Sequence, residues 1–357
     1  MPRKVLIDLY MLKYPHCGFG QIAWNQARYF RDEYTPDGEV EYTLLVPSKW
    51  VGAFGDKVKY ERAAWYKKFF PRLAGSYDLW HSTDQLPRFR PAKGGALRVV
   101  TVHDFNHEYE KRGTALLHAR KRMRRLLEQA DQVVCISRFA EADLHRFAPW
   151  YRGPVEVIYN GVESLAGKEE RRPGFVEDGK PFFFTIGEVR EKKNFHVLLD
   201  LMKRMPEYNL YIAGSDTFDY AALIRRRVED ENIGNVRLVG RVDDPWRVWL
   251  YRHCAAFLFP SLFEGFGLPV IEAMQFGRPV FCSDKTSLKE IGADCAWFWN
   301  RFDPDYMERV IRDGLAAYDG CPEYYAGRAV RYAATYSYAR NRERLRALYL
   351  RLLSGVR

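Results

Sequence analysis

Short apolar runs alternate along the chain with segments whose apolar residues recur every third or fourth position. The runs Lys4–Met11, Glu41–Val46, Leu97–Val102, Gln132–Ile136 and Val155–Ile158 predict strands, and Ile22–Phe30 and Thr114–Gln129 carry the helical repeat. A second cycle starts at Phe182–Ile186 and continues through Leu210–Ala213, Val236–Val239, Ala256–Phe259 and Pro279–Cys282. Strands alternating with helices predict a parallel sheet covered by helices on both faces. Between the cycles, Glu163–Gly174 is polar and broken by Gly and Pro, as a linker is. At 357 residues the chain exceeds what one core usually supports. The expected class is therefore α/β, with two doubly wound, Rossmann-like domains facing a cleft, at residues 1–165 and 166–335. A final helix over Tyr336–Leu353 occupies most of a closing segment, 336–357.

Composition changes this picture little: 47% hydrophobic and 15% aromatic residues suffice for two cores. Charge adds more. The net charge of +10 sits mainly in the first half, where residues 1–160 hold 26 Lys and Arg against 18 Asp and Glu. From Lys111 to Arg125 there is no acidic residue, while Leu116, Ala119, Met123, Leu126 and Ala130 keep a helical spacing. Such a basic outer face serves either as a solvated surface or as a contact for anionic lipid, and the sequence leaves both open. Nucleic acid is not an expected partner, because no helix-turn-helix, zinc-finger or RNA-binding sheet signature accompanies the charge. The six cysteines lack metal-ligand spacing and mostly lie in apolar runs, so they read as reduced, buried thiols of a cytoplasmic protein. Asp8 interrupts the first apolar run, which reads as a strand rather than a signal peptide. No apolar stretch is long enough to span a bilayer, which leaves attachment to the inner face of the membrane as the peripheral option.

The most informative stretch is Phe259–Met274, where a strand ends in a glycine-rich bend and Pro269 opens a helix. Gly265 and Gly267 permit close backbone approach, and amides at a helix start favour an anion such as a diphosphate. Glu264 and Glu272 bracket the bend eight positions apart, and a carboxylate accepts paired hydrogen bonds from the diols of a sugar and a ribose.

The span Glu264–Glu272 resembles the paired-glutamate signature of retaining glycosyltransferase family 4. Gly18-Phe19-Gly20, Thr101–Asp104, Ile136–Phe139, Val157–Val162, Ile186-Gly187 with Lys192-Lys193-Asn194, and Gly240–Asp244 fall in that family's order. The resemblance implies a GT-B fold and a retaining, metal-independent hexosyltransferase of the mannosyltransferase kind. The implied donor is a GDP- or UDP-sugar, with no separate cofactor. A glycan or lipid-linked glycan of cell-surface polysaccharide synthesis is the implied acceptor.

On this resemblance His103, at the end of a strand, holds the transferred sugar, Glu264 its hydroxyls and Glu272 the ribose. Lys193 supports the leaving diphosphate. Glu188 stands where many relatives carry an Arg, so Arg190 or Lys192 is expected to complete the phosphate clamp. Gly18 and Gly20 are expected to present backbone amides to the donor, although Cys17 replaces a glycine common just before them. Val242 and Asp244 match the loop that contacts the base, while Phe266, Gly267 and Leu268 form the turn under the donor. Asn194 is expected to cap the following helix, and Asp303-Pro304-Asp305 reads as a turn. A nucleotide-sugar epimerase and a non-catalytic nucleotide-sugar-binding protein are the competing readings.

Overall fold

A computed structural model describes residues 1–14, 18–92 and 94–355. It divides into two compact units. Unit 1 comprises Met1–Gly161 together with Tyr338–Arg357, and unit 2 comprises Val162–Ser337.

The strands described in unit 1 are β1 (Arg3–Asp8), β2 (Val40–Val46), β3 (Lys59–Arg62), β4 (Leu79–Ser82), β5 (Leu97–Val102), β6 (Gln132–Cys135) and β7 (Val155–Val157). They form one parallel sheet in the order β3-β2-β1-β4-β5-β6-β7. The helices are α1 (Gly18–Asp32), α2 (Asn106–Glu110), α3 (Gly113–Leu127) and α4 (Arg138–Phe147). Alternation along the strands assigns side chains to opposite faces. Val5 and Ile7 pack in one cluster with Ala27 and Phe30 of α1, whereas Leu6 between them joins Trp80 and Phe89 in another. On β5 and β6, Val100, Val102, Val133 and Cys135 meet Met123 and Leu127 of α3 and Leu144 of α4.

Unit 2 contains β8 (Phe182–Ile186), β9 (Asn209–Ala213), β10 (Val236–Gly240), β11 (Ala256–Phe259), β12 (Val280–Ser283) and β13 (Trp297–Trp299), ordered β10-β9-β8-β11-β12-β13 and paired in parallel. Its helices are α5 (His196–Arg204), α6 (Asp219–Asp230), α7 (Asp244–His253), α8 (Leu268–Met274), α9 (Leu288–Gly292), α10 (Pro304–Gly320) and α11 (Pro322–Ala334). Phe183, Leu210, Ile212 and Leu258 of the sheet pack with Leu198 and Met202 of α5 and with Met307 and Ile311 of α10. The last helix, α12 (Tyr338–Leu353), belongs to unit 1, where Leu345, Leu348 and Tyr349 enter the core beside Phe30 and Leu44.

Strand order reverses between β1 and β4 in unit 1 and between β8 and β11 in unit 2. In open α/β sheets the carboxyl ends of strands flanking such a reversal splay apart and leave a ligand crevice.

Several expectations are corrected. The first strand stops at Asp8, and Tyr10–Lys13 turns into a 3-10 helix. Gly18 and Gly20 fall within α1, Gly18 as its first residue, with Gly20 buried. Asn194 does not cap α5. Its backbone is left-handed at φ 58°, closing a 3-10 turn over Glu191–Lys193, and Phe195 precedes the helix. Asp303 starts a helix rather than a simple turn, its side chain accepting from the Tyr306 N–H of α10. Cys135, Cys254 and Cys282 are buried, but Cys295 is half-buried and Cys321 exposed; Cys17 lies outside the described residues. The strands β3, β4 and β13 add to those expected.

Candidate functional site

In unit 2 the two strands flanking the reversal deliver the two central residues. After β8 the chain passes Gly187 and enters the 3-10 turn that ends in Lys193; after β11 it passes Ser261 and reaches Glu264. Lys193 Nζ lies 2.5 Å from Glu264 Oε1, and the Ser261 hydroxyl donates to the same oxygen at 2.7 Å. Lys193 also lies 4.7 Å from the centre of the Phe259 ring, which shields one side of the ammonium. Both charged side chains are nearly enclosed, at 11% and 13% exposure. Burial alone would raise the Glu264 carboxyl, yet the charges of Lys193 and Lys192, with hydrogen bonds from Lys193 and Ser261, hold it below the ordinary carboxylate value. Glu264 is therefore an anion at neutral pH.

The loop carrying Glu264 is fixed from three directions. Leu262 N–H donates to the Lys192 carbonyl at 2.8 Å, and Ser261 Oγ lies 3.1 Å from the same carbonyl, so the two loops are tied together. Thr286 Oγ1 accepts from the Glu264 N–H at 3.0 Å, and the single Ser287 hydroxyl proton has the carbonyls of Glu264 and Phe266 within reach, at 2.9 and 3.0 Å. Ser283 Oγ donates to the Ser261 carbonyl. Gly267 then turns into α8 at φ 102°, where a Cβ would stand 2.6 Å from Leu288 Cδ2, so this position requires glycine. Phe266 and Leu268 flank that turn, with Phe266 packed edge-on to Tyr336.

Glu272 points from α8 toward α7. Tyr251 donates its hydroxyl to Oε2 at 2.8 Å, and Arg247 Nη1 lies 3.4 Å from Oε1. Arg247 also pairs with Asp244 at 3.1 Å and Glu163 at 3.7 Å. Burial disfavours the Arg247 cation, but the surrounding carboxylates, Glu272 first, hold its pKa above the ordinary value. Asp244 thus joins Glu272 through Arg247, whereas Val242 lies at the approach to α7, half-buried. Arg190 reaches Glu188 at 3.5 Å and stacks over Phe218 at 4.9 Å, apart from the Lys193–Glu264 pair, while Lys192 acts on Glu264 by its charge.

His103, Gly18 and Gly20 belong to unit 1. Asp8 ends β1, Thr83 to Gln85 follow β4, and His103 follows β5, so all reach the same sheet edge at the reversal. His103 Nε2 lies 2.8 Å from the Thr83 carbonyl, which can only accept; Nε2 therefore carries the hydrogen and Nδ1 is the basic nitrogen. Gln85 Oε1 accepts from the N–H groups of His103 and Asp104 at 2.7 and 3.0 Å, and Phe19 of α1 packs edge-on to the imidazole with ring centres 4.8 Å apart. Burial lowers the His103 pKa, with Thr83, Asp104 and Asp84 opposing. Asp8 and Asp84 are buried at this edge, and burial together with their mutual repulsion pushes the Asp8 carboxyl well above its usual range.

Sequence patterns do not reveal Ser261, Ser283, Thr286, Ser287, Gln85 or Tyr251, because isolated hydroxyls and an amide have no spacing of their own. Arg247, three positions after Asp244 on one helix face, was the partner that spacing could have suggested.

Two family models match the chain: Glycosyltransferase Family 4 over residues 30–164 and Glycosyl transferases group 1 over residues 167–313. The O-antigen chain mannosyltransferase B of Escherichia coli is 26% identical over 237 residues, covering 61% of this chain and 61% of the relative. A serotype-specific mannosyltransferase WbdA of Escherichia coli is 26% identical over 215 residues, covering 54% of this chain and 26% of that protein. The chain thus matches less than two thirds of the length of these relatives. In fold it is similar to a sucrose-phosphate synthase from Thermosynechococcus elongatus, with a TM-score of 0.74 at 17% identity over 99% of this chain and all of that one.

Proposed function

From a chain that belongs to the GT-B glycosyltransferases, we infer a retaining hexosyltransferase that takes mannose, in preference to other hexoses, from a GDP- or UDP-sugar. The acceptor is a glycan or lipid-linked glycan of cell-surface polysaccharide synthesis, and the enzyme works at the cytoplasmic face of the membrane. The observation that carries this reading is the enclosed Lys193–Glu264 pair at the sheet reversal of unit 2. It offers a cation and an ionised carboxylate side by side, which suits a diphosphate joined to a polyol.

In this mechanism the bond between the anomeric carbon and the diphosphate oxygen breaks, and the acceptor oxygen bonds to that carbon from the same face. The leaving phosphate takes the acceptor's proton. Lys193 neutralises the charge that grows on the departing diphosphate, with Arg190 and Lys192 at its approach. Glu264, anchored at Oε1 by Lys193 and Ser261, fixes the sugar hydroxyls, and Phe266, Gly267 and Leu268 carry the donor against the turn. Glu272, oriented by Tyr251 and Arg247, holds the ribose, while Val242 and Asp244 border the base. His103 accepts a sugar hydroxyl at Nδ1, and Gly18 and Gly20 let the start of α1 approach the donor. Relatives named as an O-antigen chain mannosyltransferase and a serotype-specific mannosyltransferase support mannose as the sugar.

The test is incubation of purified protein with GDP-mannose and a permissive mannosyl acceptor, with the product anomer read by NMR. An α-linked product from the α-linked donor is expected, and its rate should be unchanged in EDTA. Inversion, or a strict divalent-metal requirement, would overturn the mechanism. Change of the donor's own stereochemistry without acceptor would identify an epimerase instead.

A further inference from the structure

Unit 1 contains a cavity of about 240 Å³ between the 85–90 loop and α3. Among the described residues, six cationic side chains line it, Lys68, Arg88, Arg90, Arg98, Arg122 and Arg125, and no carboxylate does. They arrive from four separate segments, so their convergence is a product of the fold rather than of one charge run. Like charges are crowded here: burial and then the neighbouring Arg90 lower the pKa of Arg98. The ion pairs found among the described residues leave Lys68, Arg88, Arg90, Arg122 and Arg125 unmatched, although the charges of Arg122 and Arg88 are felt by buried Asp84. A concave set of guanidinium forks matches the oxygens of a phosphate.

The rim is apolar. Lys68 ends a 3-10 helix, Trp65–Lys68, and lies 5.7 Å from the centre of the Phe89 ring on the cavity wall. Beside it Trp65, Phe69 and Phe70 are 71%, 71% and 61% exposed, and Leu86 of the wall is also exposed. Large aromatic side chains held open to water next to clustered cations are the surface that enters a lipid interface while the cations meet headgroups.

We propose that this cavity is a receptacle for the terminal phosphate of an anionic amphiphile, with Trp65, Phe69 and Phe70 inserted among its acyl chains. A terminal phosphomonoester or diphosphate can enter the cavity, whereas a phosphodiester capped by a further headgroup group cannot present the same three oxygens. The proposal does not depend on sugar transfer by unit 2.

Flotation of the full chain with vesicles tests it. The vesicles are phosphatidylcholine alone, or phosphatidylcholine carrying phosphatidic acid or phosphatidylglycerol at matched surface charge. Binding is expected to favour phosphatidic acid severalfold over phosphatidylglycerol. Charge reversal of two exposed side chains, R122E/R125E, should cut it about tenfold or more, with the milder R122A/R125A between. W65S/F69S should lose the vesicles but keep thermal stabilisation by inorganic pyrophosphate, measured in a Lys193→Met background that silences unit 2. Glu264→Gln should float like the unsubstituted protein whatever its transferase activity, which separates this proposal from the catalytic reading. Equal binding to both anionic lipids, indifference to R122E/R125E, stabilisation by pyrophosphate with no vesicle binding in the chain that keeps Trp65 and Phe69, or displacement of vesicles by a single-stranded oligonucleotide would each overturn it.

Discussion

At the scale of single residues, the Lys193–Glu264 pair is both structural and chemical. Lys193→Met leaves the Glu264 carboxylate nearly enclosed with Ser261 as its remaining hydrogen-bond donor among the named partners. The expected cost is roughly 3 kcal/mol of stability, read by urea denaturation, and a loss of about a hundredfold or more in kcat/KM. Because the folded pKa of Glu264 is depressed, its contribution to stability is present above the ordinary carboxylate value and is lost as pH falls through the depressed one. An acid titration of stability should lose that part in Glu264→Gln. Gly214 gives a purely steric case. A Cβ there, at φ 131°, would lie 1.9 Å from the Gly187 carbonyl oxygen, so the ends of β8 and β9 must separate. Gly214→Ala should cost roughly 2–4 kcal/mol and displace the Lys193 turn, seen as a lowered Tm together with weaker nucleotide binding.

Among elements, α12 shows how one buried polar contact ties a distant segment into a sheet. His81 of β4 is fully buried between Tyr349 Oη of α12, 2.5 Å from Nδ1, and Thr101 Oγ1 of β5, 2.8 Å from Nε2. Burial lowers the His81 pKa from 6.5 to about 3. The sign follows directly: the neutral ring is the folded form, so stability present above the unfolded value is lost as pH falls toward the folded one. Tyr349→Phe should cost roughly 1–3 kcal/mol, the penalty of an unpaired buried nitrogen. The same variant should expose α12 to faster amide exchange at mildly acidic pH, and unchanged exchange would refute the role given to His81. The residues read as a turn at Asp303-Pro304-Asp305 teach the same lesson at a boundary. Asp followed by Pro begins either a turn or a helix, and here apolar Met307 and Ile311, buried one turn apart against the sheet, made it a helix.

For the molecule as a whole, unit 1 is built from both ends of the chain and unit 2 from a continuous stretch. Truncation after Ser337 removes Leu345, Leu348 and Tyr349 from the core of unit 1. Each large apolar side chain lost from a core costs roughly 2–5 kcal/mol. The truncated protein should therefore show proteolysis confined to unit 1, while 162–337 stays protected. Degradation of both units at one rate would mean that unit 2 does not fold on its own contacts.

The alternation of apolar runs with helical repeats was enough to identify the parallel α/β class, and most strands lie within one or two residues of where that pattern placed them. This worked because strands and helices buried in such a sheet carry dense, periodic hydrophobic signals. The Glu264–Glu272 spacing and Lys193 stood out in the sequence through the family resemblance of the motifs that hold them, and packing sets Lys193 beside Glu264. Strands β3 and β4 did not: β3 is largely solvent-facing and charged, and in β4 only Leu79 and Trp80 are apolar before His81 and Ser82. The left-handed Asn194, the three hydroxyl residues from β12 to α9 that hold the Glu264 loop, and the six cations drawn together beside α3 came only with the tertiary structure. Local preference is too weak to choose among turns or single polar contacts, and residues far apart in sequence acquire a common chemistry only when packing of the sheet brings them within hydrogen-bond reach.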